Sequence, residues 1–157
     1  MKLEKVKNNM ENIYAIIVSY NPNVKEIEKN LCALSEEVNN IVLVDNSDNI
    51  KLKSQLKDCV NTLKLRVDIS YLDNNGNIGL SKAQNRGIKY ALENENCNWV
   101  LLLDDDSFFK SNSINEMMRY FEDSYEKDSI GILVANSIDI NINTKFKYYV
   151  EVEKSLK

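Results

Sequence analysis

Three apolar runs of strand length, each stopping on a polar or acidic residue, constrain this chain more than any other feature. Ile13-Tyr-Ala-Ile-Ile-Val-Ser-Tyr20 is halted by Asn21-Pro22, Ile41-Val-Leu-Val44 ends at Asp45, and Trp99-Val-Leu-Leu-Leu103 runs straight into Asp104-Asp105-Asp106. Proline brings no amide donor to a sheet ladder, so the first run ends where it must. A strand that is apolar on both faces has to be covered on both faces. Parallel sheets do this with crossover helices above and below.

The segments between the runs supply those helices. Val24, Ile27, Leu31, Leu34 and Val38 recur at helical spacing among lysines and glutamates, Leu52, Leu56 and Val60 repeat the pattern more weakly, and Ala83, Ile88, Ala91 and Leu92 mark a third helix. Leu65, Val67, Ile69 and Tyr71 alternate with polar residues, as a half-exposed strand does. Further on, Ser113 and Glu116 have capping-box spacing ahead of Ile114, Met117, Met118, Phe121 and Tyr125. Ile130 to Ala135 reads as another strand, and Phe146 to Val152 alternates with period two, as an edge strand or a frayed end. No internal repeat or composition break divides the 157 residues, so a single domain is expected. The expected fold is α/β and Rossmann-like, a mostly parallel sheet flanked by helices.

The chain contains no histidine. That excludes Ser-His-Asp and Cys-His nucleophilic machinery, His-bearing zinc sites and histidine general bases, and it leaves oxygen donors, hence Mg²⁺ or Mn²⁺, for any metal. Cys32, Cys59 and Cys97 form no CxxC pair and read as small apolar residues in a reducing cytosol. A net charge of −4 argues against nucleic acid as a partner. No stretch has the length and apolarity of a transmembrane segment, and the charged N-terminus, Met1 to Glu11, is unlike a secretory leader. A cytoplasmic location is expected.

In open α/β sheets, ligands sit outside the carboxyl ends of the strands. The strand-end residues are therefore the candidates: Tyr20 with Asn21, Asp45 with Asn46, Asp73, and the Asp104–Asp106 run. Three adjacent carboxylates repel one another unless something positive neutralises them. Side chains alternate along extended backbone, so Asp104 and Asp106 point one way and Asp105 the other, an arrangement suited to a divalent cation and a sugar hydroxyl. A solvated turn would carry the same residues, but the buried run before them puts the carboxylates at the sheet rim. Gly76, Gly79 and Gly87 crowd one short window, where irregular backbone is expected, and Gly76 and Gly79 allow positive φ or close backbone approach ahead of the third helix. Neither a GxGxxG fingerprint nor a Walker GxxxxGK[ST] pattern is present. Lys82 and Arg86 could meet a diphosphate or could simply be solvated.

Taken together, four segments carry a resemblance: Ile16-Ile-Val-Ser-Tyr-Asn-Pro22, Ile41-Val-Leu-Val-Asp-Asn-Ser47, Asn77-Ile-Gly-Leu-Ser-Lys-Ala-Gln-Asn-Arg-Gly-Ile88 and Trp99-Val-Leu-Leu-Leu-Asp-Asp-Asp-Ser107. In this order and spacing the chain resembles the inverting family-2 glycosyltransferases of the GT-A fold, most closely their rhamnosyltransferase-like subgroup, from about Ile13 to Ala135. The resemblance implies a dTDP- or UDP-sugar donor, dTDP-rhamnose favoured, and a saccharide or lipid-linked saccharide acceptor in surface polysaccharide synthesis. It places Tyr20 and the backbone near Val18 at the base pocket and has Asp45 accept from the pyrimidine N–H. Asn77, Gly79, Lys82 and Asn85 would border the nucleotide and sugar. Asp104-Asp105-Asp106 falls at the family's DxD position. There Asp104 and Asp105 would contact the nucleotide sugar, and Asp106, with Asp104, would hold Mg²⁺ or Mn²⁺ against the diphosphate.

The resemblance has gaps. Many relatives carry arginine where Gln84 stands. Relatives also continue beyond a point like Lys157, and their second half supplies the acceptor site and an acidic general base. No convincing base follows Asp106 here, since Glu151 and Glu153 lie in a charged tail. Residues 1–157 are thus expected to be the donor-nucleotide portion of a transferase domain, cytoplasmic or peripheral at the inner face of the membrane, with a homo-oligomer left open. A non-catalytic nucleotide-sugar-binding module is the alternative. A DxDx[TV] phosphatase loop fits less well, because Phe108 fills the Thr/Val position.

Overall fold

The apolar runs become neighbouring parallel strands. The computed structural model describes residues 12–108, 110–135, 138–139 and 144–145. Its first compact unit, Met1–Ile114, alternates β1 (Ile13–Ser19), α1 (Val24–Leu34), β2 (Asn40–Asp45), α2 (Ile50–Thr62), β3 (Asp68–Asp73), α3 (Leu80–Leu92) and β4 (Trp99–Asp104). All pairings in this sheet are parallel and the order is β3-β2-β1-β4. The chain steps outward from β1 to β3, and α3 then carries it back past β1 to β4. The order therefore reverses between β1 and β4, the crevice where open α/β sheets bind their ligands.

Strand alternation splits the core into two layers. Tyr14, Ile16, Val18, Val42 and Val44 form one buried cluster with Ala83 and Ala91 of α3. Ala15, Ile17, Ile41 and Leu43 point the other way by the same alternation, and α1 (Ile27, Leu31, Leu34) and α2 (Leu56, Val60) bring buried faces of their own to the core, as right-handed crossovers on that side would. Asparagine opens both of the latter helices: Asn23 Oδ1 accepts from the Lys25 amide (3.1 Å) and Asn49 Oδ1 from the Leu52 amide (3.2 Å).

The sheet corrects several expectations. β4 is less buried than its sequence suggests, with Leu102 47% exposed, because it pairs on one side only among the described residues. β3 starts at Asp68, so Leu65 and Val67 lie ahead of it. Gly87 is not a site of irregular backbone; it sits buried inside α3.

The second compact unit, Asn115–Lys157, holds most of α4 (Ser113–Glu122), a short 3₁₀ helix (Lys127–Ser129) and an antiparallel pair, β5 (Ile138–Asp139) with β6 (Thr144–Lys145). Ile130 to Ala135 is not a strand: no ladder partner meets it among the described residues, and Ile132 (81%) and Val134 (64%) are exposed. Phe146 to Val152 lies outside the described residues. Ser113 is the first helical residue rather than the one before it, and its hydroxyl donates back to the Lys110 carbonyl. The start of α4 is held instead by Glu37, whose carboxylate accepts from the Asn112 amide and, at 2.9 Å, from the Ile114 amide. No helix among the described residues is long and apolar enough to cross a membrane.

Candidate functional site

The loops after β1, β2, β3 and β4 meet on one rim and are tied together by side chains. Asn21 takes a left-handed conformation (φ +48°), which turns the chain sharply out of β1. Its amide donates to Ser47 Oγ at 2.9 Å, and the Asn46 amide donates to the Ser19 carbonyl at 2.8 Å. The amide of Tyr20 donates to Asp105 Oδ2 at 3.2 Å, which bridges the β1–β4 switch point. From there the Tyr20 ring stands half exposed (50%).

The acidic run is not extended throughout. β4 ends at Asp104, Asp105 and Asp106 lie in a turn, and the Ser107 amide donates to the Asp104 carbonyl at 3.2 Å, so the alternation expected of the run stops at Asp104. Asp105 is half-buried, and Asn30 Nδ2 holds its backbone carbonyl at 3.0 Å. Burial pushes its carboxyl above the ordinary range against the lowering effect of the Tyr20 amide, and the charges of Asp106 and Asp104 push the same way as burial. Asp104 and Asp106 are exposed. Among the described residues no group of three or more His, Cys, Asp or Glu is arranged to hold a metal. Two exposed carboxylates without histidine fit a hard cation that takes its remaining ligands from water and phosphate, the habit of Mg²⁺ sites.

Asp45 lies at the end of β2 and is fully buried. Oδ1 accepts from the Ser47 amide at 2.9 Å and Oδ2 accepts from the Tyr71 hydroxyl. Burial, together with that hydrogen bond and the Asp45 charge, drives the Tyr71 phenol far above its ordinary pKa. The carboxylate thus braces the β2 loop from below, and with no exposed surface it is closed to the direct ligand contact expected of it. Removing the donor should show how much this brace contributes. Tyr71→Phe leaves a buried carboxylate oxygen unpaired and is expected to lower stability by about 1–3 kcal/mol. Urea unfolding checks this, and an unchanged midpoint would mean that Tyr71 is dispensable to the loop.

The loop between β3 and α3 is built from asparagines and two glycines with positive φ, Gly76 (+137°) and Gly79 (+87°). Asn46 anchors it: Oδ1 accepts from the Ile78 amide (3.0 Å) and Asn74 Nδ2 (3.1 Å), while Nδ2 donates to Asn77 Oδ1 (3.0 Å). Asn77 Oδ1 also accepts from the Gly79 amide at 2.9 Å. Arg86 donates to the Asp73 carbonyl (2.6 Å) and to Asn74 Oδ1, so it staples α3 to the loop. Asp73 pairs with Lys53 at 2.6 Å; burial opposes its charge, but Lys53, the Asn75 amide and Arg86 outweigh burial and lower its pKa. No side chain caps α3 at Gly79, which leaves first-turn amides for an outside acceptor. Lys82 and Asn85, exposed and three residues apart, share one face of its first turns.

Sequence reading named Asn46 only as a strand-end candidate beside Asp45 and missed Asn74 and Asp48 as organisers of this rim. The signal was the cluster Asp45-Asn-Ser-Asp-Asn49 together with Asp73-Asn-Asn-Gly-Asn77, diluted by the abundance of asparagine elsewhere. With the geometry in place, similarity to known proteins can be weighed. A family described as "Glycosyl transferase family 2" matches residues 14–154. The chain is 34% identical over 116 residues to the dTDP-rhamnosyl transferase RfbF of Shigella flexneri, a stretch covering 74% of this chain and 36% of that protein. It is 32% identical over 133 residues to the low-salt glycan biosynthesis hexosyltransferase Agl10 of Haloferax volcanii, covering 84% of this chain and 40% of that protein. The chain therefore spans well under half the length of these relatives.

Proposed function

The chain belongs to glycosyl transferase family 2, and from that premise we propose that its strand-end rim binds the nucleotide part of a dTDP- or UDP-sugar for inverting transfer to a saccharide acceptor. The observation that carries this reading is the Asp105–Tyr20 bond at the β1–β4 crevice. It sets a half-exposed aromatic ring beside a strand end whose other two carboxylates face solvent.

Each side chain then has a task. Tyr20 offers a face to the base. Asp45, which has no exposed surface, holds the β2 loop that borders the base in place of accepting from the pyrimidine N–H itself. Asn77, Gly79, Lys82 and Asn85 border the phosphates and sugar, with the α3 amides suited to negative charge. Asp104 and Asp105 lie on the sugar side, and Asp104 and Asp106 would hold Mg²⁺ or Mn²⁺. Bound there, such a cation stabilises charge developing on the leaving diphosphate. Similarity to a protein named as a dTDP-rhamnosyl transferase favours dTDP-rhamnose as donor.

The alternative is that these residues hold the donor without turning it over. Incubation with dTDP-rhamnose and Mn²⁺ separates the two. Release of dTDP indicates turnover, whereas binding without release indicates a donor-holding module. Absence of binding to dTDP and UDP alike would dispose of both.

A further inference from the structure

Asp48 has no part in the roles above, yet it touches two of the three loops that would enclose the base. Its Oδ2 accepts from the Tyr20 hydroxyl at 3.1 Å, and its Oδ1 accepts from the Asn77 amide at 3.0 Å. A β-carbon on Gly76 would come within 3.3 Å of Oδ1, so the glycine loop closes tightly on this carboxylate. The chain on either side is fixed: Ser47 is buried and bonded to the Asn21 amide, and Asn49 caps α2. Asp48 itself is exposed.

We propose that Asp48 is a positioning residue for nucleotide binding, fixing the direction in which the Tyr20 ring stands and the Asn77–Gly79 loop before the ligand arrives. The inference rests on the nucleotide reading of this rim. A tie at the phenol oxygen holds the torsion that swings the Tyr20 ring about its Cα–Cβ bond, leaving only the spin of the ring about its own axis, so less ordering remains to be done on binding. The role needs hydrogen bonding rather than charge. In Asp48→Asn the amide oxygen still accepts from Asn77, and the amide nitrogen donates to a phenol that turns from donor to acceptor.

Calorimetric titration of the chain with dTDP and with UDP, each with Mn²⁺, tests this. Asp48→Ala is expected to weaken binding about tenfold, and Asp48→Asn by no more than about threefold. Tyr20→Phe keeps the ring, loses the tie, and should weaken binding on its own; added to Asp48→Ala it should cost nothing more. Multiplying losses in the double variant, or an Asp48→Asn as weak as Asp48→Ala, overturn the proposal, the latter because the charge would then be meeting the ligand directly. If Asp48→Ala loses its fold, Tyr20→Phe decides, and unchanged affinity overturns it. Wild-type binding with an unaffected Asp48→Ala defeats this inference alone. No wild-type binding defeats the nucleotide reading and this inference with it.

Discussion

Gly87→Val is expected to leave the chain largely unfolded under conditions where the wild type is folded, and Gly87→Ala to lower the melting temperature by several degrees. Helix propensity points the other way, since alanine inside a helix is favoured over glycine by about 0.8–1 kcal/mol. Space decides against propensity here. A β-carbon at Gly87 would overlap Ile16 Cγ2 and sit 3.0 Å from Val44 Cγ2. Both residues are at most 1% exposed and lie on β1 and β2, each of which has a neighbour on both sides, so neither can retreat. Overpacking of this kind costs about 1–3 kcal/mol for one carbon and more for a branched side chain, against the roughly 5–15 kcal/mol that holds a domain folded. Ala83, Gly87 and Ala91, four residues apart, make a stripe of small residues on α3. This stripe lets α3 lie close on the sheet and so places its first turn over the rim. A scanning calorimetry trace in which Gly87→Ala melts higher than wild type would show that α3 does not press on β1 and β2.

The layers of this fold were legible because burial on both faces leaves a continuous apolar run, and a helix between two such runs leaves a 3.6-residue period. Element existence is a local matter. Edge position is not: Trp99-Val-Leu-Leu-Leu103 reads as more apolar than Ile41-Val-Leu-Val44, yet β2 is buried and β4 is partly exposed, because one lies inside the sheet and the other at its side. Ile130 to Ala135 failed for a related reason, since a strand needs a partner that its own sequence does not supply. The rim residues were legible as strand ends, but the alternation expected of the acidic run stops at Asp104, where β4 ends and Asp105 and Asp106 enter a turn. Side-chain stitching was not legible. Asn46, Asn74 and Asn77 act through amide pairs some thirty residues apart in sequence, and nothing local marks those asparagines from the others. Gly76 and Gly79 were read as allowing positive φ or a close backbone approach, and both have positive φ, whereas Gly87 serves a close approach to the sheet that only the packed structure reveals.

Asp106→Ala is expected to abolish the stabilisation that Mn²⁺ adds to nucleotide binding while leaving the metal-free chain as stable as wild type or more so. The two halves have one cause. Asp104, Asp105 and Asp106 are adjacent like charges, and deleting one relieves repulsion in the absence of a cation. With a cation and a diphosphate present, the same carboxylate becomes a ligand, and its loss leaves Asp104 to hold the ion alone. A ligand at about a hundred times its dissociation constant stabilises the folded state by about 2.7 kcal/mol, which is several degrees of melting temperature for a chain of this size. Wild type with dTDP or UDP and Mn²⁺ should therefore melt several degrees above the chain alone, and Asp106→Ala with both ligands should melt no higher than with the nucleotide alone. Asp106→Asn sharpens the test, because it keeps the shape and one oxygen but removes the charge: it too should lose the Mn²⁺ increment if the carboxylate grips a divalent ion. An increment that survives both substitutions would place the cation away from the end of β4. The exposed pair Asp104 and Asp106 would then be a solvated turn, and the nucleotide reading would have to stand on Tyr20 and the loop of asparagines without them.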